Sequence, residues 1–434
     1  MPRIEPFKGV LYDPRKIKMA NVVAPPYDVI PSSMQEALYR ESDYNVVRLI
    51  LGKQSSADSA KNNRYTRARD AFNRWAGEGI LKQDAVPAIY VYSQDYRVGT
   101  ARRKSVGFIA RMMIEDPKTS RVLPHERTFA KPKEDRLNLT REVKANLSPI
   151  FTLYPDDKNV TGAVLQRAMK KAPFCDVTSE GVRHRLWRLQ DETQIQTIQR
   201  FLGNKDVFIA DGHHRFEVAR MYREEMRSQR ERPVARQTAT HDYDYVMTYF
   251  APLSDKTLTI LATHRLLKGV DLDIASLLMR MEEYFTVEEC ATEKELFAKM
   301  ESVGKGRYAV GVYAHKRPFY LLTLKKNVNI DRAITEKRSR EWKRLDVSIL
   351  HGIIFDRITG LKEKIANEEC VVYTRDPRHA ITEVNSGRCS VAFFLNPTRV
   401  SQVRDIAKIG DKMPHKSTYF YPKLLSGLVI NKLA

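Results

Sequence analysis

At 434 residues the chain exceeds the size at which one hydrophobic core usually keeps growing, so two packed domains are expected, and an apolar share of 42% with 9% aromatics argues against long disorder. Lysine and arginine total 74 against 53 acids, and the resulting net charge of +21 selects anionic partners, whether nucleotides, phosphorylated metabolites, nucleic acid or anionic surfaces, without choosing among them. Four cysteines (Cys175, Cys290, Cys370, Cys389) form no CxxC or zinc-knuckle spacing, and a charged, proline-bearing start with no run of about 18 apolar residues points to a cytoplasmic protein, neither secreted nor membrane-spanning.

In chain order, Pro25-Pro26-Tyr27-Asp28-Val29-Ile30 holds the backbone extended ahead of a helix over 32–40. Asn45 to Leu51 reads as a short strand. Tyr65, Ala68, Ala71, Phe72 and Trp75 recur at helical spacing and predict a helix over 63–79, closed by Gly77 and Gly79. Ala88 to Tyr92 and Val106 to Ile114 have the aromatic and β-branched content of a hairpin, turning through Arg102 and Arg103. A polar loop, Leu123-Pro124-His125-Glu126-Arg127-Thr128, leads to a helix over 136–144 and a strand over 150–154. Val207 to Ala210 reads as a buried strand and His213 to Arg230 as a helix, which makes Asp211-Gly212-His213-His214-Arg215 a strand-to-helix turn.

Further on, strands are expected over 245–250, 257–263, 308–313 and 319–324, alternating with helices over 273–284, 293–303 and 347–358. The fold class is therefore α+β, or mixed α/β, with a soft boundary that separates residues 1–255 from 256–434 as one interlocked whole. The basic stretches Arg102 to Lys104, Arg220 to Arg232 and Arg332 to Arg344 mix with acids or helix-spaced apolar residues, and read as solvated faces.

The DGHHR turn carries the chemistry. A glycine entering a helix N-terminus presents backbone N–H groups and the positive end of the dipole, a ready anion site. Gly212 permits close approach and Arg215 can grip phosphate oxygens as a fork, while His213 and His214 can donate hydrogen bonds or shuttle a proton. Asp211 could bind magnesium or orient a histidine. The plainer reading makes Asp211 a helix cap. Zinc fits poorly, because adjacent helical histidines point about 100° apart.

Two further segments are candidates. In the polar loop, Glu126 is a candidate base for a serine hydroxyl or a water, with His125 beside it. Near the C-terminus Lys416, Ser417 and Thr418 could close over a phosphate, or else Tyr419, Phe420 and Tyr421 pin the chain end while the hydroxyls cap turns.

The run IADGHHRFEVA resembles the phosphate-binding box of the ParB and sulfiredoxin-like superfamily, in which a glycine, basic residues and a helix cradle nucleotide phosphates. More closely, the chain resembles the domain-of-unknown-function family ten-fifteen. The segments that carry this are PPYDVI, NVVRL, LPHERT, PKEDR, ANLSPIF, IADGHHRFEVA, THRLL, AFFLNP and MPHKSTYFYPKLLSGL, spread over nearly the whole chain.

That resemblance implies a ParB/sulfiredoxin-like phosphate-binding core. Through a serine kinase with a similar DGHHR box, it also implies a magnesium-dependent phosphotransferase or phosphohydrolase acting on serine or phosphoserine, with ATP or ADP and a link to serine biosynthesis. Its implied partner is a small phosphorylated substrate or a nucleotide. The alternative is a ParB-like nucleotide-binding regulator associated with nucleic acid and without turnover. It is not favoured, because no helix-turn-helix or RNP-type aromatic run is present. Sulfiredoxin chemistry needs a cysteine where His213 and His214 stand.

Overall fold

The computed structural model describes residues 2–229 and 240–433, and divides into two compact units. The first takes Met1–Pro124, Thr128–Leu258 and Pro422–Ala434; the second takes His125–Arg127 and Thr259–Tyr421. Two short segments thus belong to a unit other than the one a single cut near residue 255 would give them.

The first unit is built on a nine-stranded mixed sheet. Eight of its strands run in the order Val122–Leu123, Val207–Asp211, Ile150–Tyr154, Tyr245–Pro252, Ala101–Met113, Ile89–Val98, Val182–Leu189 and Cys175–Ser179, and Ile4–Glu5 adds to Ala101–Met113. The central strands are covered on both faces: Ile89, Tyr90, Val91 and Tyr92 are all fully buried, so they form a continuous apolar run without polar alternation. Phe108 stacks on Phe250 with centroids 5.0 Å apart in the middle of this core. The expected hairpin is present and longer than its apolar content suggested, running Ile89–Val98 into Ala101–Met113. The hairpin Cys175–Ser179 with Val182–Leu189 was not expected.

Two helices, Ala130–Val143 and His213–Ser228, pack on each other through Leu137, Val218 and Tyr222. Each such side chain stabilises by roughly 1.5–3 kcal/mol when fully buried. The second helix was expected to reach Arg230. That residue, with the end of the basic stretch Arg220 to Arg232, lies outside the described residues.

Asn45 to Leu51 is not a strand. Val47–Ile50 forms a helical turn, because the Asn45 Oδ1 accepts the Val47 amide at 2.9 Å and closes the chain locally. β-Branched content alone had suggested extension. Likewise the strand expected over 257–263 shrinks to Thr259–Ile260, paired with Phe420–Tyr421.

The second unit centres on a six-stranded antiparallel sheet ordered Phe285–Cys290, Phe319–Leu324, Ala309–Ala314, Val391–Leu395, His264–Leu267 and Val371–Thr374. Helices Glu293–Gly304 and Pro377–Asn385 cover one face over Leu266, Leu296, Met300, Ala380 and Phe394. The helix expected over 347–358 exists, but after one α-turn at Asp346–Ile349 it continues as a π-helix over Leu350–Ile358. All four cysteines are buried free thiols. The fold class is mixed α/β of the α+β kind, and among the described residues no helix is long and apolar enough to cross a membrane.

Candidate phosphate site

The strand Val207–Asp211 lies between Val122–Leu123, parallel to it, and Ile150–Tyr154, antiparallel. Its register slips between Ile209 and Asp211, an irregularity of the kind that re-aims a side chain at the end of a strand. Gly212 follows at φ 86°, a left-handed conformation that glycine adopts without strain, and the helix His213–Ser228 begins at once. Its first intrahelical bond runs from the Phe216 amide to the Gly212 carbonyl at 3.0 Å. Gly212 has no side chain to cap the helix, which opens with the amides of His213, His214 and Arg215.

Charge gathers at this turn. Arg215 donates through one guanidinium nitrogen to the Asp211 Oδ2 at 2.9 Å, and through another to the Pro149 carbonyl. Lys423 donates from Nζ to the Asp211 Oδ1 at 2.8 Å. The Arg215 and Lys423 side chains are only 13% and 12% exposed, so these ion pairs are screened far less than surface pairs. Glycine is favoured for a second reason: a Cβ on residue 212 would sit 2.9–3.0 Å from the Arg215 guanidinium and displace it. Two cations and a helix N-terminus therefore meet around one carboxylate.

The histidines differ from each other. His213 is buried, 3% exposed, whereas His214 is half-buried. The Phe129 amide donates to the His214 Nε2 at 3.0 Å, and the two rings stack with centroids 6.1 Å apart. The His214 Nε2 thus serves as a hydrogen-bond acceptor in this arrangement.

Asp211 was a candidate magnesium ligand. Magnesium asks for near-octahedral oxygen ligands, with carboxylates that are open to it. Here both Asp211 oxygens accept from cations, and among the described residues no group of three or more histidine, cysteine or acidic side chains is placed to hold a metal. The donor set does not fit a resident ion. Lys423 and Arg215 supply the positive charge instead.

The other candidates gather in the second unit. The Thr418 hydroxyl donates to the Glu126 Oε1 at 2.8 Å, and the His125 Nε2 stands 3.8 Å from the same oxygen. His125 is fully buried and its carbonyl accepts the Met413 amide, which fixes the loop. Burial pushes the His415 imidazole below the usual range for histidine, against the pull of Glu368 and Glu126. Ser417 is committed to structure: it is 5% exposed and its hydroxyl donates to the Pro414 carbonyl at 2.5 Å. Lys416 takes a left-handed backbone at φ 55°, and its carbonyl accepts from Arg265. The aromatic run does pin this segment, through Phe420–Tyr421 in its strand pair and Tyr419 under the Arg375 guanidinium at 3.9 Å.

Lys423 was the residue that sequence reasoning did not place at the site. The only available signal was its position a few residues after the Lys416–Thr418 cluster. Of the basic stretches, Arg338 makes a partly buried pair with Asp411 and Arg344 pairs with the more exposed Asp331.

Fold and turn together define a mixed α/β protein in which two sheltered cations meet one carboxylate at a glycine-initiated helix. The chain belongs to the family described as protein of unknown function (DUF1015), whose model matches residues 4–348. No curated protein matches it. Among solved structures it is similar to a conserved hypothetical protein from Pyrococcus furiosus, at 14% identity over 70% of this chain and 89% of that one, with a TM-score of 0.33. It is also similar to a free serine kinase in complex with AMP, at 13% identity over 69% and 83%, TM-score 0.33. A third is SbnI with C-terminal truncation from Staphylococcus aureus, at 10% identity over 70% and 82%, TM-score 0.32.

Proposed function

We propose that the chain is a phosphotransferase or phosphohydrolase acting on serine or phosphoserine, with its phosphoryl group held at the Asp211–Arg215 turn. The observation that carries this is the convergence of Lys423 and Arg215 on Asp211 at the start of the helix His213–Ser228. Phosphoryl transfer depends mainly on positioning and on neutralising the moving group's charge, and two sheltered cations beside helix amides do both. The serine substrate class is carried by the resemblance of the DGHHR box.

In the kinase direction the serine hydroxyl oxygen attacks the terminal phosphorus of ATP or ADP, the bond to the nucleotide oxygen breaks, and the hydroxyl proton passes to a base. Glu126, steadied by Thr418 and His125, is the proposed base, with Lys416 and Thr418 as substrate contacts. In the hydrolytic direction a water attacks phosphoserine and the seryl oxygen leaves with a proton. Asp211 orients the two cations and His214 is a hydrogen-bonding group. A magnesium ion, if bound, would be carried by the nucleotide phosphates, where it would neutralise their charge.

The test is direct. Purified protein with magnesium is followed by phosphorus NMR with ATP or ADP plus serine, and separately with phosphoserine. The proposal expects interconversion of serine and phosphoserine, abolished in Lys423→Met. Nucleotide binding with no turnover in either direction would instead favour the ParB-like regulatory reading, and a shift of duplex DNA that weakens with salt would strengthen it.

A further inference from the structure

The second unit holds a cleft of about 430 Å³ that belongs to none of the candidates above. Lys305 and Arg307 reach it from the loop after the helix Glu293–Gly304, and Tyr308 follows them. Arg399 and Gln402 line it from the start of the helix Val400–Lys408, where the Gln402 side chain accepts the Arg399 amide at 2.9 Å. Asp346, the first residue of the turn that runs into the π-helix, completes the wall. Long π segments are rare and recur at functional sites.

The charges are arranged with two poles. Three cations and a helix N-terminus suit an anionic oxygen group, whereas Asp346, with the exposed Glu301 at the rim, suits a donor. Burial dominates around Asp346 and pushes its carboxyl up to about 7, with Arg399 pulling the other way. A cationic donor brought into the cleft is what would hold it ionised. A plain anion would satisfy the cations and repel Asp346, and a plain amine would do the reverse. A molecule carrying both groups on neighbouring atoms meets both poles, and the volume leaves room for a side chain beside the Tyr308 ring.

We propose that this cleft binds a free α-amino acid, its carboxylate at Lys305, Arg307, Arg399 and the amides opening Val400–Lys408, and its ammonium at Asp346. This site is independent of the phosphoryl chemistry assigned to the turn at Gly212.

Isothermal titration of the full-length chain with each standard L-amino acid tests it. The N-acetyl and amide derivatives of the tightest binder serve as controls that lack one pole, and acetate and orthophosphate as plain anions. The expected result is saturable binding of at least one amino acid. Both derivatives should bind at least tenfold more weakly, as should the parent ligand to Asp346→Asn and to Arg399→Gln, each shown folded by urea titration. Lys423→Met, at the phosphate turn, should bind the amino acid as the parent does. The proposal is overturned if no amino acid saturates, if the acetylated ligand or acetate binds equally well, if the two cleft variants are indifferent, or if Lys423→Met alone abolishes binding.

Discussion

Replacing Gly212 by alanine separates the two reasons for glycine at the phosphate turn. The backbone there sits at φ 86°, and placing an L-residue in the left-handed region costs about 1–2 kcal/mol. The added Cβ would also lie 2.9–3.0 Å from the Arg215 guanidinium, which must swing away from the Asp211 carboxylate, from the Pro149 carbonyl, or from both. A hydrogen bond to a charged group contributes about 1.5–3 kcal/mol, so losing one of them roughly doubles the backbone cost. Gly181 provides the control. It has φ 75° with nothing within 4 Å of its would-be Cβ, so Gly181→Ala carries the backbone cost alone. Urea denaturation should therefore place Gly212→Ala below Gly181→Ala by about 1.5–3 kcal/mol. Orthophosphate titration should show at least tenfold weaker binding in Gly212→Ala and none of that loss in Gly181→Ala. Equal stabilities together with unchanged phosphate affinity in both variants would refute the idea that the guanidinium is held for an anion.

Lys423→Met keeps the aliphatic stem and removes the charge, so phosphate or nucleotide affinity should fall tenfold or more in titration calorimetry while the circular dichroism spectrum stays that of the parent. Chelation by EDTA should leave orthophosphate affinity unchanged, since Arg215 and Lys423 supply the positive charge at Asp211; a large loss on chelation would restore a metal to the turn. Glu126→Gln should lower turnover of serine or phosphoserine at least a hundredfold with little change in nucleotide affinity, as removal of a general base does. For Asp346, the folded protein holds the carboxyl proton more tightly than the unfolded chain does, so the parent loses stability as pH rises from about 4 through about 7. The shift sets a ceiling of about 4 kcal/mol, and allowance for solvent screening at this partly exposed group leaves about 2. Urea titrations should show Asp346→Asn more stable than the parent at pH 8 and equal to it near pH 4, and parallel curves would count against the buried carboxyl.

The strand-to-helix turn at Asp211–Arg215 was legible because its signal is local. A short β-branched run, a glycine and a helix-spaced apolar stripe are contiguous in sequence, and together they fix the strand, the left-handed residue and the helix N-terminus. Lys423 was not legible in the same way, because its place beside Asp211 depends on the C-terminal segment Pro422–Ala434 folding back into the first unit. Nothing in a pattern of spacings encodes such a return. The strand wrongly expected at Asn45 to Leu51 has the complementary cause: β-branched content was visible, but the buried side-chain bond by which Asn45 closes the turn was not. Likewise Asp346 stands one residue ahead of the helix expected over 347–358 with no signal of its own, and only the cleft around it shows an unusual carboxyl.

A carboxylate inside an anion site looks like a contradiction until the unliganded state is considered. Lys423 and Arg215 are both mostly buried, and two sheltered cations with nothing between them would repel each other and each lack compensation for lost hydration. Asp211 removes that penalty by bridging them, one oxygen to each, and so keeps both donors aimed at the turn before any ligand arrives. A phosphate at the helix amides brings more negative charge than one carboxylate can, so it competes for the same donors without needing them to be recruited from solvent. In the proposed phosphate site Asp211 is thus the organiser, and the affinity for the anion would reside in the cations it holds ready.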